Sequence, residues 1–298
     1  MNNVKKGARI KIKNYIFSAM FIVSLILLMI AVSFSWFNNG KSASISGITV
    51  STVEANNLLV NGVKEVELEV PEDFKFLAVT GDGNQFYTPM LELGTLQGAP
   101  DTLDYHATGY SLINQNQYTA SGIYQAEFSF LVENDKQLSL TSESYVSASE
   151  ESPRSAYGEY SAGNICGAVR VAFFAKGEQG YELKCIWIPN STVHLDASGD
   201  TAILPPEQAE VEKEYVFYHN GSKQPTRIQT DGQPNGEIGV DGVKYVWGDL
   251  SSGLVLSDIK GDTDLQIKMI VWVDGTDREA HNALMDGTVT MNFVFNVS

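Results

Sequence analysis

The sequence predicts an all-β protein, an antiparallel β-sandwich of jelly-roll-like type standing as an ectodomain behind a single N-terminal transmembrane helix. Three observations carry that expectation. An uncharged run, Tyr15 to Phe37, stands directly behind a basic head. From Ile45 onward apolar and polar residues alternate with a period of two, the pattern of strands with one buried face. Glycine and asparagine turns punctuate that alternation, and helical periodicity is almost missing. The implied organisation is a cytoplasmic head over 1–14, a transmembrane helix or signal core over 15–37, a short linker over 38–44 and one extracytoplasmic domain over 45–298.

The apolar run comes first. At ~1.5 Å per helical residue it reaches about 34 Å, enough to cross a hydrocarbon core of roughly 30 Å. Lys5, Lys6, Arg9, Lys11 and Lys13 precede it, and no acidic residue stands before Glu54. The positive-inside rule therefore keeps the N-terminus in the cytoplasm and sends the remainder outside, with the lipid bilayer as partner of Tyr15–Phe37. Signal-peptide cores usually hold about 7 to 15 apolar residues, so this longer run reads as a retained anchor. The alternative is cleavage, with small residues at Ala31 and Ser33 or at Ser42 and Ser44 placed to suit a signal peptidase. Trp36 and Phe37 stand where interfacial aromatics end a span, ahead of Asn38-Asn39-Gly40.

Five of the 20 basic residues lie in the head, so 15 Lys+Arg remain against 36 Asp+Glu and the part beyond Phe37 carries a formal charge of about −21. Such an acidic exterior argues against nucleic acid or anionic headgroups as its partners. A hydrophobic content of 43% is that of a chain able to bury a sizeable core. Two cysteines are too few for a disulfide-built scaffold, even in an oxidising compartment.

Along the chain, Asn61-Gly62 is the first hairpin signal, of the residue type that favours a type I′ turn. Pairing outward from it sets Leu59 opposite Lys64, Ala55 opposite Leu68 and Val53 opposite Val70, with Glu65, Glu67 and Glu69 on the solvent face. Asp241-Gly242 repeats the device between Ile238/Val240 and Val243/Tyr245/Trp247, and Asn220-Gly221 follows Tyr215 to His219. Tyr124, Ala126, Phe128, Phe130 and Val132 alternate with Gln125, Glu127 and Ser129 as one half-buried strand; Asn134-Asp135 then turns into a second strand holding Leu138 and Leu140. Thr141 to Asn164, poor in large aliphatics, reads as a long surface loop. Ala168–Lys176 and Tyr181–Pro189 flank a turn at Gly177–Gly180. The chain from Asp196 to Glu214 gives the weakest signal. Leu265–Val273 and the alternating Thr288–Val297 are the last strands, with a short helix expected over Asp277 to Leu284.

Three stretches together resemble a known group. Ser35-Trp36-Phe37-Asn38 followed by a small and polar run to Ile48-Thr49-Val50 is similar to the signal region of camelysin-type and biofilm-fibre surface proteins of Gram-positive bacteria. Ala168-Val169-Arg170-Val171 leading to Ile186-Trp187-Ile188-Pro189-Asn190, and Val271-Trp272-Val273-Asp274-Gly275-Thr276-Asp277, resemble patterns of exported proteins of the same kind. The likeness covers about a third of the chain and implies an extracytoplasmic β-sandwich, assembled into fibres in some relatives. It brings no catalytic residue, and the apolar segment here is longer than the usual cleavable one.

Candidate sites are few. His106, His194, His219 and His281 are scattered without metal-ligand spacing, and no His-Glu-x-x-His occurs. With the turn centred between Glu178 and Gln179, Cys185 faces Ala172 and Cys166 faces Ser191, which implies two separate thiols. Asp231, Asn235, Glu237 and Asp241 in a glycine-rich loop, and Asp262, Asp264, Asp274 and Asp277 near the last hairpin, are the weak candidates for Ca²⁺, although neither group has the spacing of the twelve-residue calcium loop. Asn190-Ser191-Thr192 and Asn220-Gly221-Ser222 match the glycosylation triplet, a pattern frequent by chance. No catalytic set and no cofactor are expected. The leading expectation is a membrane-anchored cell-surface protein with a structural or interaction role, its partners the bilayer and, through self-association into fibres or a cell-surface ligand, other macromolecules. A carbohydrate- or Ca²⁺-binding module, with Tyr105, Tyr110, Tyr157 and Tyr160 as sugar-stacking rings, is the alternative; an exported hydrolase ranks last.

Overall fold

Alternation from Ser44 onward becomes strands, and among the described residues those strands build two large sheets and two separate two-stranded pairs, Thr192–Val193 with Glu210–Val211 and Glu214–Phe217 with Thr226–Gln229. The computed structural model describes residues 43–53, 57–91, 107–148, 165–189, 192–193, 210–211, 214–217, 226–240, 242–250, 253–275, 277 and 287–298. The Tyr15–Phe37 segment lies outside the described residues; among these, no helix is long and apolar enough to cross a membrane.

In chain order the strands are β1 (Ser44–Thr52), β2 (Leu59–Val60), β3 (Glu65–Glu67), β4 (Ala78–Gly81), β5 (Phe86–Leu91), β6 (Ala107–Ile113), β7 (Tyr124–Leu131), β8 (Lys136–Leu140) and β9 (Tyr145–Ala148). A single helical turn, α1 (Ile165–Ala168), leads into β10 (Val169–Gly177) and β11 (Gly180–Ile188). Then come β12 (Thr192–Val193), β13 (Glu210–Val211), β14 (Glu214–Phe217), β15 (Thr226–Gln229), β16 (Gly236–Val240), β17 (Val243–Trp247), β18 (Leu254–Ile259), β19 (Leu265–Asp274) and β20 (Thr288–Val297). The fold is all-β, as the alternation predicts.

One sheet runs β18-β8-β20-β1-β3, with β9 also against β20; the larger runs β16-β17-β11-β10-β19-β4-β5-β6, with β7 beside β19 and β2 beside β7. The expectation of purely antiparallel pairing is corrected here, and with it the jelly-roll order. β1 pairs with β20, β11 with β17 and β19 with β4 in parallel. Turn chemistry reads only strands that are neighbours in sequence, whereas parallel partners are joined by long connections.

The sheets share one apolar core. Phe173 of β10 meets Phe293 of β20 edge-on at 5.7 Å, and Phe130 of β7 meets Phe295 at 4.6 Å. Ile48, Val50, Leu138, Leu140, Val171, Trp187, Met269, Val271 and Met291 fill the space between. A second apolar cluster lies on the other face of the larger sheet, where Ala172, Phe174, Ile186, Ile188, Ile270 and Trp272 pack with Phe86, Tyr118, Ile123, Tyr215 and Ile228. Burial on both faces explains why Val169-Arg170-Val171-Ala172-Phe173-Phe174-Ala175 is buried throughout instead of alternating.

Two local expectations are corrected. The Asn61-Gly62 turn forms, with both residues at positive φ and Val60 and Val63 exchanging both backbone hydrogen bonds. The hairpin does not continue from it: β3 sets Val66 opposite Val50, and β2 pairs with β7. The face assignment is as read, with Val66, Leu68 and Val70 packed on the core and Glu65, Glu67 and Glu69 exposed. Thr141–Asn164 contains a strand, β9, because Val146 opposes Met291 and reaches the core. Asn134-Asp135 turns, as read, into the strand that holds Leu138 and Leu140, and it carries the chain from the larger sheet to the other. The helix expected over Asp277 to Leu284 and the Asn220-Gly221 turn lie outside the described residues, apart from Asp277 itself.

Candidate functional site

A guanidinium inside an apolar strand needs a reason. Arg170 is the one charged residue among the seven buried residues from Val169 to Ala175, and it is 0% exposed. Its cross-strand partner on β19 is Trp272, so both point to the outer face of the larger sheet. One terminal nitrogen donates to the Gly167 carbonyl of α1 at 2.6 Å and to the Val169 carbonyl at 3.0 Å. The other terminal nitrogen donates to Asp277 Oδ2 at 2.5 Å, a charge-assisted pair in which both side chains are sealed from solvent. The Tyr215 ring of β14 lies 5.1 Å from the guanidinium carbon, close enough for a cation–π contact. Arg170 thus ties α1, β10, the segment after β19 and the β14–β15 pair to one point.

The segment after β19 is shaped to deliver that carboxylate. Asp274, fully buried, accepts from Thr80 Oγ1 at 3.3 Å and from Trp272 Nε1 at 3.4 Å. The Gly275 amide donates to the Val79 carbonyl at 2.6 Å, and the Asp277 amide donates to the Asp274 carbonyl at 3.1 Å. Gly275 lies so close to β4 that a Cβ there would meet Ala78 Cβ at 2.8 Å. Asp274, Gly275 and Asp277 therefore act as a latch: one carboxylate closes on β4, the glycine allows the approach, and the second carboxylate closes on Arg170.

Farther along the outer face the sheet opens to solvent. Lys268 lies in one cross-strand row with Phe174 and Glu127, its ammonium 4.3 Å from the Phe174 ring centre and 4.9 Å from that of Tyr181. Partial burial lowers its pKa, with Glu127 pulling the other way. Tyr181 donates to Glu127 Oε2 at 2.9 Å, and burial followed by that bond pushes its phenol up to about 12.

The sequence candidates fall as follows. Asp231, at positive φ, and Asn235 are exposed turn residues; Asn235 Oδ1 accepts the Asp249 amide at 2.8 Å. Glu237 is paired with Lys244 at 2.6 Å across β16 and β17, and Asp241 lies outside the described residues. Asp262 and Asp264 are exposed just ahead of β19 whereas Asp274, its last residue, and Asp277 beyond it are buried, about 30 Å away at ~3.3 Å per residue, so the second acidic group is not one site. No three His, Cys, Asp or Glu side chains gather to hold a metal among the described residues. All four histidines, Asn190, Asn220, Tyr105, Tyr157 and Tyr160 lie outside them; Tyr110 is half-buried on β6.

Both cysteines are buried, and neither is in a disulfide. Cys185 opposes Phe173 and not Ala172, because a bulge at Lys184 shifts the pairing by one. Burial pushes its thiol up to about 12, against smaller opposing effects of Lys244 and a backbone bond at Phe173. A thiol so held is a core residue and a poor nucleophile.

Sequence reasoning passed over Arg170. Its signal was present as a lone charge within an otherwise apolar run, the kind of residue that is buried only with a partner. Comparisons with protein-family models, curated proteins and solved structures find no match to this chain.

Proposed function

We propose that the protein is a membrane-anchored cell-surface protein whose residues 45–298 stand outside the cell as a β-sandwich domain with a structural or interaction role and no catalysis, similar in kind to the camelysin-type and biofilm-fibre surface proteins. The observation that carries this reading is the uncharged Tyr15–Phe37 run behind five basic residues. Two sheets sharing one core support the sandwich part of it. The use made of the buried ions supports the structural part: Arg170, Asp274 and Asp277 are bonded to the fold's own backbone and side chains.

The cleaved form is the second reading, and the pairing of β1 bears on where the cut falls. The Ser44 amide donates to the Gly287 carbonyl at 2.8 Å, so a peptidase acting at Ser42 or Ser44 works against the start of a central strand. Ala31 and Ser33 stand ahead of that strand in the sequence. Protease treatment of intact cells, with mass spectrometry of the mature N-terminus, tests both readings. The anchored reading expects Met1–Lys13 retained in the membrane fraction and the acidic domain digested from outside. A domain protected inside the cell defeats both, and a mature start near Phe34 selects the cleaved form.

A further inference from the structure

We infer that β1 is a load-bearing strand, which takes up tension arriving from the membrane in shear and so keeps the domain folded while its anchor is pulled. The inference rests on the anchored reading for the source of the tension; the mechanical asymmetry is a property of the fold alone. β1 begins where the described chain begins, and it is a central strand, with β20 on one side and β3 on the other. Against β20 it runs parallel in register from Ser44↔Thr288 to Thr52↔Phe295. Against β3 it runs antiparallel over Thr49↔Glu67 to Ser51↔Glu65.

Force applied between Ser44 and the far end of β20 acts along the axis of β1. Because β20 is parallel, the Ser44 end of β1 lies beside Thr288, and the far end of β20, Val297, lies at the opposite end of the ladder. A counterforce carried by the domain or by the far end of β20 therefore loads all the ladder bonds at once. Force applied to the two strands at the same end would open those bonds one after another.

Further contacts resist sliding. The Phe76 amide donates to the Ala43 carbonyl at 2.6 Å at the point of entry, and the Val53 amide donates to the Phe295 carbonyl at 3.0 Å at the exit. Ser46, the extra residue of a bulge between Ile45 and Gly47, donates to the Val289 carbonyl at 3.1 Å and shares a hydroxyl bond with Thr290 at 2.7 Å. A slip of one residue also turns Ile48 and Val50, both 0% exposed, out of the core. Sliding must break the ladder and the packing together.

The test pulls the full-length chain in detergent in an optical trap, using two attachment geometries at one loading rate. The first runs from Lys41→Cys to a tag after Ser298 and places the strands in shear. The second runs from Asn57→Cys, exposed just past the far end of β1, to the same tag, and pulls both strands from one end. The native cysteines are buried and leave the handles selective. Both variants are first checked for the thermal transition of the parent. The expected result is a rupture force severalfold higher in the first geometry, lowered there by Ser46→Ala with the second geometry unchanged. Equal forces in the two geometries, or a higher force in the second, overturn the inference. A domain located in the cytosol would remove the source of tension and leave that ratio standing, so the two claims fail separately.

Discussion

The sharpest perturbation is removal of one half of the Arg170–Asp277 pair. Asp277→Ala leaves a guanidinium at 0% exposure with its carboxylate partner gone, although the carbonyls of Gly167 and Val169 still accept from it. Breaking a buried pair from one side costs about 3–5 kcal/mol, because the remaining charge keeps its desolvation penalty and loses the attraction that offset it. For a domain of this size each kcal/mol lowers Tm by about 2–4 °C, so the single variant should melt roughly 6–20 °C below the parent. Arg170→Met/Asp277→Leu removes both charges and keeps most of the volume, and it should recover most of that loss, since apolar replacement of a whole buried pair is often neutral or better. Urea unfolding followed by tryptophan fluorescence reads the effect directly, with Trp187 and Trp272 both in the core. The midpoint should shift with the slope unchanged, which separates lost stability from a changed unfolded state. If Asp277→Ala loses less than about 1 kcal/mol, or the double variant is no more stable than the single, desolvated charge does not control this site.

Two further perturbations test the latch and the core. Gly275→Ala forces a methyl against Ala78 at 2.8 Å and should cost about 1–3 kcal/mol in the same urea assay, whereas an unchanged midpoint would mean that β4 gives way freely. Raising the pH above 9 should weaken the fold: Cys185, Tyr124 and Tyr181 are each pushed up to about 12 from ordinary values of 9.0, 10.0 and 10.0, burial being the largest cause for each. Between those values the folded chain holds protons that the unfolded chain has released, so stability present below pH 9 declines as pH rises towards 12. Lys268, with its pKa lowered, works in the opposite sense below pH 10.5. Urea midpoints from pH 7 to 11 should fall from pH 9, with Cys185→Ala flattening the first part of the decline; a profile level to pH 11 refutes the burial argument.

Strands whose partners are near in sequence were legible. Val240 opposes Val243 across Asp241-Gly242, and Gly177 opposes Gly180, as turn residues and alternation predict. The one-residue error at Cys185 came from the Lys184 bulge, which carries no turn signal because its cause is the fit of strand to strand. Pairing between distant segments was not legible at all. Val66 alternates correctly with its glutamates and so reveals its inward face, yet nothing in that pattern says that Val50 rather than a hairpin neighbour lies opposite. The candidate site divides in the same way. Asp274 and Asp277 were visible as acidic residues in a turn, and their likeness to surface loop acids pointed to calcium. Burial of Asp277 against Arg170, more than a hundred positions away, is a consequence of the β10–β19 pairing and has no local trace.

The two longest strands explain another polar residue in the core. β19 is flanked by β7 as far as Val271 and by β4 from Val273, while β20 is flanked by β9 from Val289 to Asn292 and by β8 from Phe295. A strand that passes from one short partner to the next leaves a break in its ladder, and inside a protein the backbone groups at that break must still be satisfied. On β20 the break falls at Phe293 and Val294. Ser144, almost fully buried, stands there: its hydroxyl accepts the Val294 amide at 2.9 Å and donates to the Val294 carbonyl at 3.3 Å, and the Thr141 amide donates to the same carbonyl at 2.8 Å. One hydroxyl, positioned by the turn between β8 and β9, substitutes for the missing rung of a strand. The segment that looked like surface loop from its small polar composition is small and polar here because it completes the ladder beside β1, and Phe293 within the break and Phe295 just after it stay in the core.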